Sequence, residues 1–194
     1  MSKDVERCAW ALRSELERTY HDTEWGRPEF DDEVLFELFV LEMMQSGLSW
    51  SIILKKREPM RLAFDGFDMR KIAEYGEEKL EELLVNETII RNRMKLTAMI
   101  NNASCFMAVQ QEFGSFSEYL WGFVNHEPVH NTWEYEHEIP ASSSLSYELT
   151  KDLKKRGFRF VGPTILYSYL QAAGVVNDHI TSCFCYDEIV NLRS

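Results

Sequence analysis

Apolar residues recur along this chain with the three-to-four-residue spacing of helix faces, and no stretch alternates strictly enough to read as a strand. Proline and glycine are scarce, 5 and 9 residues, and they fall between the periodic segments. This punctuation predicts an all-α fold. Asp31 and Asp32 cap a helix that runs to about Ser46 before Gly47. Further helices are expected over Ser49 to about Lys56, Asp68–Tyr75, Glu77–Val85, Arg93 to about Phe113, and Ser117–Val124. The polar stretch 125–143, with Pro128 and Pro140, reads as a loop or lobe boundary. Ser144–Arg156 is then a helix closed by Gly157, and Pro163 opens another to about Ala173. A length of 194 residues suits a single domain over 1–194, with two lobes.

Composition narrows the function classes. No apolar run approaches the roughly 18 residues of a membrane span, and the segment from Met1 to Arg7 has no apolar signal core. A cytoplasmic protein without membrane contact is expected. Its four cysteines (Cys8, Cys105, Cys183 and Cys185) then read as thiols or metal ligands, not as a disulfide framework. The formal charge is −11, with 21 Lys+Arg against 32 Asp+Glu, which taken alone argues against a nucleic-acid partner. The charge is segregated, however. Asp65 to Glu87 holds eight acids and three bases, whereas Lys55, Lys56, Arg57 and Arg61, then Arg91, Arg93 and Lys95, then Lys151 to Arg159 are basic runs. Each run reads either as a solvated helix face or as part of a basic face compatible with DNA.

Four local patterns depart from plain core-and-surface chemistry. Glu42 lies on the same helical stripe as Leu35, Leu38 and Phe39, while Glu33 and Glu37 point roughly the other way, toward solvent. A carboxylate in an apolar stripe either pairs with an arginine or floors a pocket that selects a cation or a donor edge. Trp10, Tyr20, Trp25 and Trp50 cluster in the first 50 residues, as core packing or as a stacking cage for a planar, cationic ligand. Cys8, His21, His179 and Cys183 supply the two thiols and two imidazoles of a tetrahedral zinc shell. The last two are four residues apart, which on a helix places them on one face. The alternative is buried thiols and hydrogen-bonded histidines. If filled, the shell has no open position, so it is structural and staples the N-terminal to the C-terminal segment. Finally, Lys154 to Thr164 reads as a tight turn between two helices, with Gly157 and Gly162 at its edges and Phe158, Phe160 and Val161 as anchors. The free N–H groups that follow can bind a phosphate, or the cations can simply cap the helix end.

Long motifs then point to one family. Glu6-Arg7-Cys8-Ala9-Trp10 and Tyr20-His21-Asp22-Thr23-Glu24-Trp25-Gly26 resemble the start of the bacterial 3-methyladenine DNA glycosylase I family. So do Leu41-Glu42, Gln45 to Trp50, Leu54 to Arg57, Leu153 to Gly162, and the run through Tyr167-Ser168, Gln171-Ala172 and Val176 to His179. The resemblance covers about residues 6 to 186.

The resemblance implies an all-helical helix-hairpin-helix glycosylase fold with the base pocket between its lobes. It places the hairpin at Gly157 to Thr164, with Lys155, Arg156, Gly157, Gly162 and Thr164 on the DNA backbone. It puts one structural Zn2+ on Cys8, His21, His179 and Cys183. Glu42 becomes the pocket carboxylate and catalytic residue, and Trp10, Tyr20, Trp25 and Trp50 the base-binding aromatics. The implied reaction is monofunctional hydrolysis of the N-glycosidic bond of 3-methyladenine in double-stranded alkylated DNA, by a monomer that releases free 3-methyladenine. Asp178 is assigned no role as general base, since it directly precedes His179. Two departures stand out. Met43-Met44 replace the Gly-Gln of many members, which would narrow or reshape the pocket. Pro163 replaces a common Thr and removes one N–H. Met43 and Met44 keep a second reading open, a non-catalytic binder of alkylated DNA or modified bases.

Overall fold

The computed structural model describes residues 5–192, and most of them are helical. The helices are α1 (Glu15–Thr23), α2 (Asp32–Gln45), α3 (Trp50–Ala63), α4 (Met69–Ala73), α5 (Glu77–Val85), α6 (Arg93–Phe113), α7 (Phe116–Gly122), α8 (Ser144–Lys155), α9 (Pro163–Ala172) and α10 (Phe184–Val190). Short 3-10 turns lie at Ala9–Arg13, Asp65–Phe67 and Glu136–Glu138. The mainly helical reading holds, and most of the predicted helices recur within a few residues of their expected ends.

Four differences stand out. Helix α3 runs past Lys56 to Ala63 with Pro59 inside it. The proline removes one N–H from the ladder, but buried Ile53 and Met60 on the same helix carry it across. Two helices, α1 and α10, lie where no helix was expected. A two-residue parallel pair, β1 (Val129–His130) against β2 (Val176–Asn177), is too short to show periodicity. The segment 125–143 is consequently tied to the chain just before His179, and Trp133 adds a bond from its carbonyl to Thr181 N–H at 2.8 Å. Lastly, His179 and Cys183 do not share a helix. Both precede α10, with Cys183 as its N-cap.

Helix α2 is the axis of the core. Asp31 caps it, accepting from Glu33 and Val34 N–H at 2.8 and 3.2 Å. Every residue from Leu35 to Met44 is buried, because α3, α6, α7 and α9 all pack against this helix. Burial on all sides overturns the expected solvent face. Glu37 is buried and clasped by Arg57 Nε at 2.7 Å and Arg61 at 2.6 Å. Met43 and Met44 are wholly buried in the core.

Helix α6 sets the positions of its neighbours. Lys95, itself buried, donates to the carbonyls of Met44 and Ser46 at 2.8 and 2.6 Å and so closes the end of α2. Asn101 donates to Gly157 O at 2.9 Å. Asn102 brackets Arg159, accepting its N–H at 2.8 Å and donating to its carbonyl at 2.9 Å. The turn between α8 and α9, with Gly157 at φ +90° and Phe160 at φ +57°, is therefore held from beneath.

Candidate active site

The five residues expected to form a pocket do converge. Glu42 from α2, Tyr20 and Trp25 from the end of α1 and its exit, Trp10 from the preceding 3-10 turn and Trp50 from the start of α3 line one cavity of about 350 Å³. The rings form a chain. Trp25 meets Trp10 edge-on at 5.1 Å, Trp10 lies 6.4 Å from Tyr20, and Tyr20 lies 5.1 Å from Trp50.

Three polar groups of the residues lining this cavity have no protein partner among the described residues. Glu42 is 5% exposed, makes no hydrogen bond or ion pair among the described residues, and burial pushes its carboxyl up from 4.5 to about 8. The arginine-paired alternative is thus excluded for Glu42. The Tyr20 hydroxyl and the Trp50 Nε1–H are both buried and unbonded. Burial, then the nearby Glu42 charge, holds the Tyr20 phenol well above its usual value, so it keeps its proton. Uncompensated buried polar groups are costly, and convergence of three on one space marks a site shaped for a polar ligand.

Seven further lining residues were not singled out from sequence: Arg13, Glu17, Gln45, Glu136, Ile139, Ser168 and Gln171. Spacing was the available signal for several of them. Gln45 is three residues after Glu42, and Ser168 and Gln171 are three apart on α9. Met43 and Met44 do not line the cavity, so their bulk does not narrow it. A second cleft shares Glu42, Gln45 and Ser168 with the first and opens past Gly47 and Leu48 to Gly162, Pro163 and Thr164. A path therefore leads from the carboxylate to the first turn of α9.

Cys8, His21, His179 and Cys183 are brought together and buried. His179 Nδ1 lies 3.2 Å from His21 Nε2, 3.7 Å from Cys8 Sγ and 3.5 Å from Cys183 Sγ, and Cys183 Sγ lies 3.5 Å from His21 Nε2. Each imidazole spends its other nitrogen outside the cluster. His21 Nδ1 donates to Asp22 at 2.8 Å, and Arg7 grips Asp22 in turn; His179 Nε2 donates to Trp25 O at 3.0 Å. These bonds fix the tautomers that leave two lone pairs facing inward. Gly26 permits the approach, since a Cβ there would lie 3.0 Å from the His179 ring. Cys185, the spare thiol, sits 4.0 Å from the outward nitrogen of His21 and is not part of the four-residue cluster.

Asp178 faces away from this cluster. Its Oδ1 accepts from Asn131 and Trp133, both at 2.7 Å, and its Oδ2 from Tyr167 at 2.6 Å and Gln171 at 2.7 Å. Four donors and complete burial make it a structural node.

Many of the basic runs are neutralised. Arg57 and Arg61 serve Glu37, Glu24 and Glu58; Arg91 pairs with Glu87; Arg93 pairs with Glu77 and Glu81; Lys95 is buried. Arg156 is tied to Glu112 at 2.6 Å and Asp152 at 2.5 Å and lies over the Phe113 and Tyr119 rings. At the turn, Lys154, Lys155 and Arg159 are exposed and make no ion pair among the described residues, and Thr164 is exposed beside Gly162.

Comparison with known proteins points to one family. The methyladenine glycosylase family profile matches residues 10–186. DNA-3-methyladenine glycosylase 1 of Escherichia coli (strain K12) is 48% identical over 182 residues, 94% of this chain and 97% of that protein. A crystal structure of 3-methyladenine DNA glycosylase I superposes with a TM-score of 0.90 at 49% identity, over 93% of this chain and 99% of that one. A 3-methyladenine DNA glycosylase I variant in complex with 3-methyladenine gives a TM-score of 0.89 at 35% identity, over 92% and 96% of the two chains.

Proposed function

The chain belongs to the methyladenine glycosylase family, and from that premise we propose that it excises 3-methyladenine from alkylated DNA by hydrolysing the N-glycosidic bond. The observation that carries this reading is Glu42, a buried carboxyl without a partner in a cavity walled by aromatic rings. A base flipped out of the duplex stacks on Trp50 and Tyr20, and Glu42 accepts from its donor edge. The N3-methylated base is cationic, so it draws the proton off Glu42 and is held by the resulting carboxylate and the ring faces. Neutral adenine gains little from either, which is the basis of rejection.

The base leaves as a neutral molecule. The C1′–N bond breaks, its electron pair cancels the ring's positive charge, and water adds its oxygen to C1′ while losing a proton to solvent. No lysine lines the cavity among the described residues, which supports a monofunctional enzyme without Schiff-base chemistry. Asp178, fully occupied by four donors, is not the water activator.

The backbone contact is assigned to the hairpin of a helix-hairpin-helix motif. Gly157 and Gly162 shape it, Lys155 and Thr164 face the duplex, and the N–H groups of the first turn of α9 hold one phosphate. Arg156 contributes by fixing α8 to α6, not by meeting phosphate. In this reading a monomer engages double-stranded DNA as one domain, with the base entering between its lobes. The non-catalytic alternative loses its support, because Met43 and Met44 sit in the core and leave the pocket open.

Cys8, His21, His179 and Cys183 would hold a structural Zn2+. Tetrahedral Zn–N and Zn–S bonds imply edges of about 3.3 Å between nitrogens and about 3.6 Å between nitrogen and sulfur. The separations of 3.2 Å and of 3.5 to 3.7 Å fit. When bound, the metal would supply no chemistry to the pocket; the four residues would hold it as a crosslink between the N-terminal turn and the segment before α10. Elemental analysis should find about one zinc per chain, and freely reactive Cys8 and Cys183 thiols without metal would overturn the assignment.

The decisive assay is release of 3-methyladenine from methylated DNA. The parent chain should release it, and Glu42→Gln should lower kcat/KM about a hundredfold. No release by the parent chain would falsify the enzyme reading.

A further inference from the structure

Glu42 is the carboxylate the glycosylase reading uses, yet Glu17 lines the same cavity. It is 4% exposed, and no arginine or lysine pairs with it among the described residues. Oε2 accepts the Ser14 hydroxyl at 2.8 Å, and Oε1 receives no donor among the described residues. The local sequence explains this placement. Ser14 caps α1 by accepting Glu17 N–H at 3.1 Å, which locks Glu17 into the first turn. Tyr20 follows three residues later on the same helix face and enters the same cavity. An acid at this helix position ordinarily turns back to the N-cap N–H; here it takes the hydroxyl, which leaves one oxygen for the pocket. Arg13, the one cation lining the cavity, is exposed at its rim and makes no ion pair with Glu17.

We propose that Glu17 is a specificity-determining residue, a second anionic wall that makes the pocket select a cationic purine over a neutral one of the same shape. The proposal rests on the glycosylase reading and extends it. Glu42 reads the base's donor edge. Glu17 acts on charge spread over the ring, by Coulomb attraction at short range from the cavity wall. A neutral base fits the same aromatic walls and gains nothing from this residue.

Glu17→Gln tests the charge alone, because the amide oxygen can still accept from Ser14. The probes are the 3,9-dimethyladeninium cation, a methylated base with a methyl group in place of the sugar, and neutral adenine. Binding is followed by quenching of the pocket tryptophans. Glu17→Gln should weaken the cation about tenfold and adenine less than twofold. Ser14→Ala, which removes the cap hydroxyl and keeps the charge, should leave the cation-to-adenine ratio as in the parent chain. Equal losses for both ligands, an unchanged cation affinity, or a Ser14→Ala ratio equal to that of Glu17→Gln would overturn the proposal. Failure of the parent chain to release 3-methyladenine from DNA would sink the enzyme reading instead, and the ligand ratio would still decide on Glu17.

Discussion

Glu37 and Glu42 sit on the same helix, five residues apart, with 4% and 5% exposure, and they have opposite chemistry. Glu37 is gripped by Arg57 and Arg61, so its charge is matched inside the fold. Glu42 has no partner, and burial alone lifts its carboxyl to about 8. Burial is therefore not the signal of function; the missing partner is. Two turns of α3 decide the difference, because they place guanidinium groups over one acid and leave the other facing an aromatic cavity.

The largest expected effect breaks this contrast by neutralising Glu42. Its folded carboxyl titrates near 8 against an ordinary 4.5, so the folded chain binds that proton more tightly than the unfolded one. Stability from this group is intact below about pH 4.5 and is lost as pH rises to about 8. At 1.36 kcal/mol per tenfold in proton affinity, the loss approaches on the order of 5 kcal/mol. Glu42→Gln should match the parent's denaturant midpoint at pH 4 and exceed it at pH 9. Parent kcat/KM should climb between pH 6 and pH 8 as Glu42 ionises, and the climb should vanish in the variant. Equal pH profiles for the two proteins would remove the distinction between the acids.

Removing the partners of Glu37 should produce the opposite phenotype. Arg57→Met with Arg61→Met strands the Glu37 charge and should lower unfolding free energy by about 3 kcal/mol in urea titrations. Activity per folded molecule should stay near that of the parent. A loss of turnover without a loss of stability would mean that Glu37 and Arg57 serve the pocket.

The smallest effect sharpens the same paired-versus-unpaired rule at the hairpin. Lys155→Gln should reduce the slope of log affinity against log salt by about 0.9 on undamaged duplex, one phosphate contact. Arg156→Gln should leave that slope alone and lower stability, because its guanidinium is already engaged by Glu112 and Asp152.

Much of the site was legible in the chain itself. Glu42 stood out because a helical stripe of Leu35, Leu38 and Phe39 made a carboxylate anomalous there. The four Cys and His residues stood out by donor chemistry, although the idea that His179 and Cys183 share a helix was wrong. Glu17 and Glu136 were invisible. An acid in the first turn of a helix, or in a polar loop, looks ordinary until the fold shows what it faces. Glu37 was misread for a related reason: periodicity marks the core side of a helix with one buried face, and α2 is buried all round. The net charge of −11 already resolved into an acidic segment and basic runs in the sequence, but which cations stay free was not legible, since many of the basic side chains serve neighbouring acids.

By itself, the sequence determined most of the helices, the glycine-edged turn and the inventory of aromatic, carboxyl and metal-binding groups, because helix spacing and turn chemistry are local. Only the tertiary structure decided which charges are spent. It gave Glu37 two arginines, gave Asp178 four donors, locked Arg156 away from the turn, and left Glu42 and Glu17 without cations beside one cavity. Partnering depends on residues far apart in the chain, and no local pattern records it.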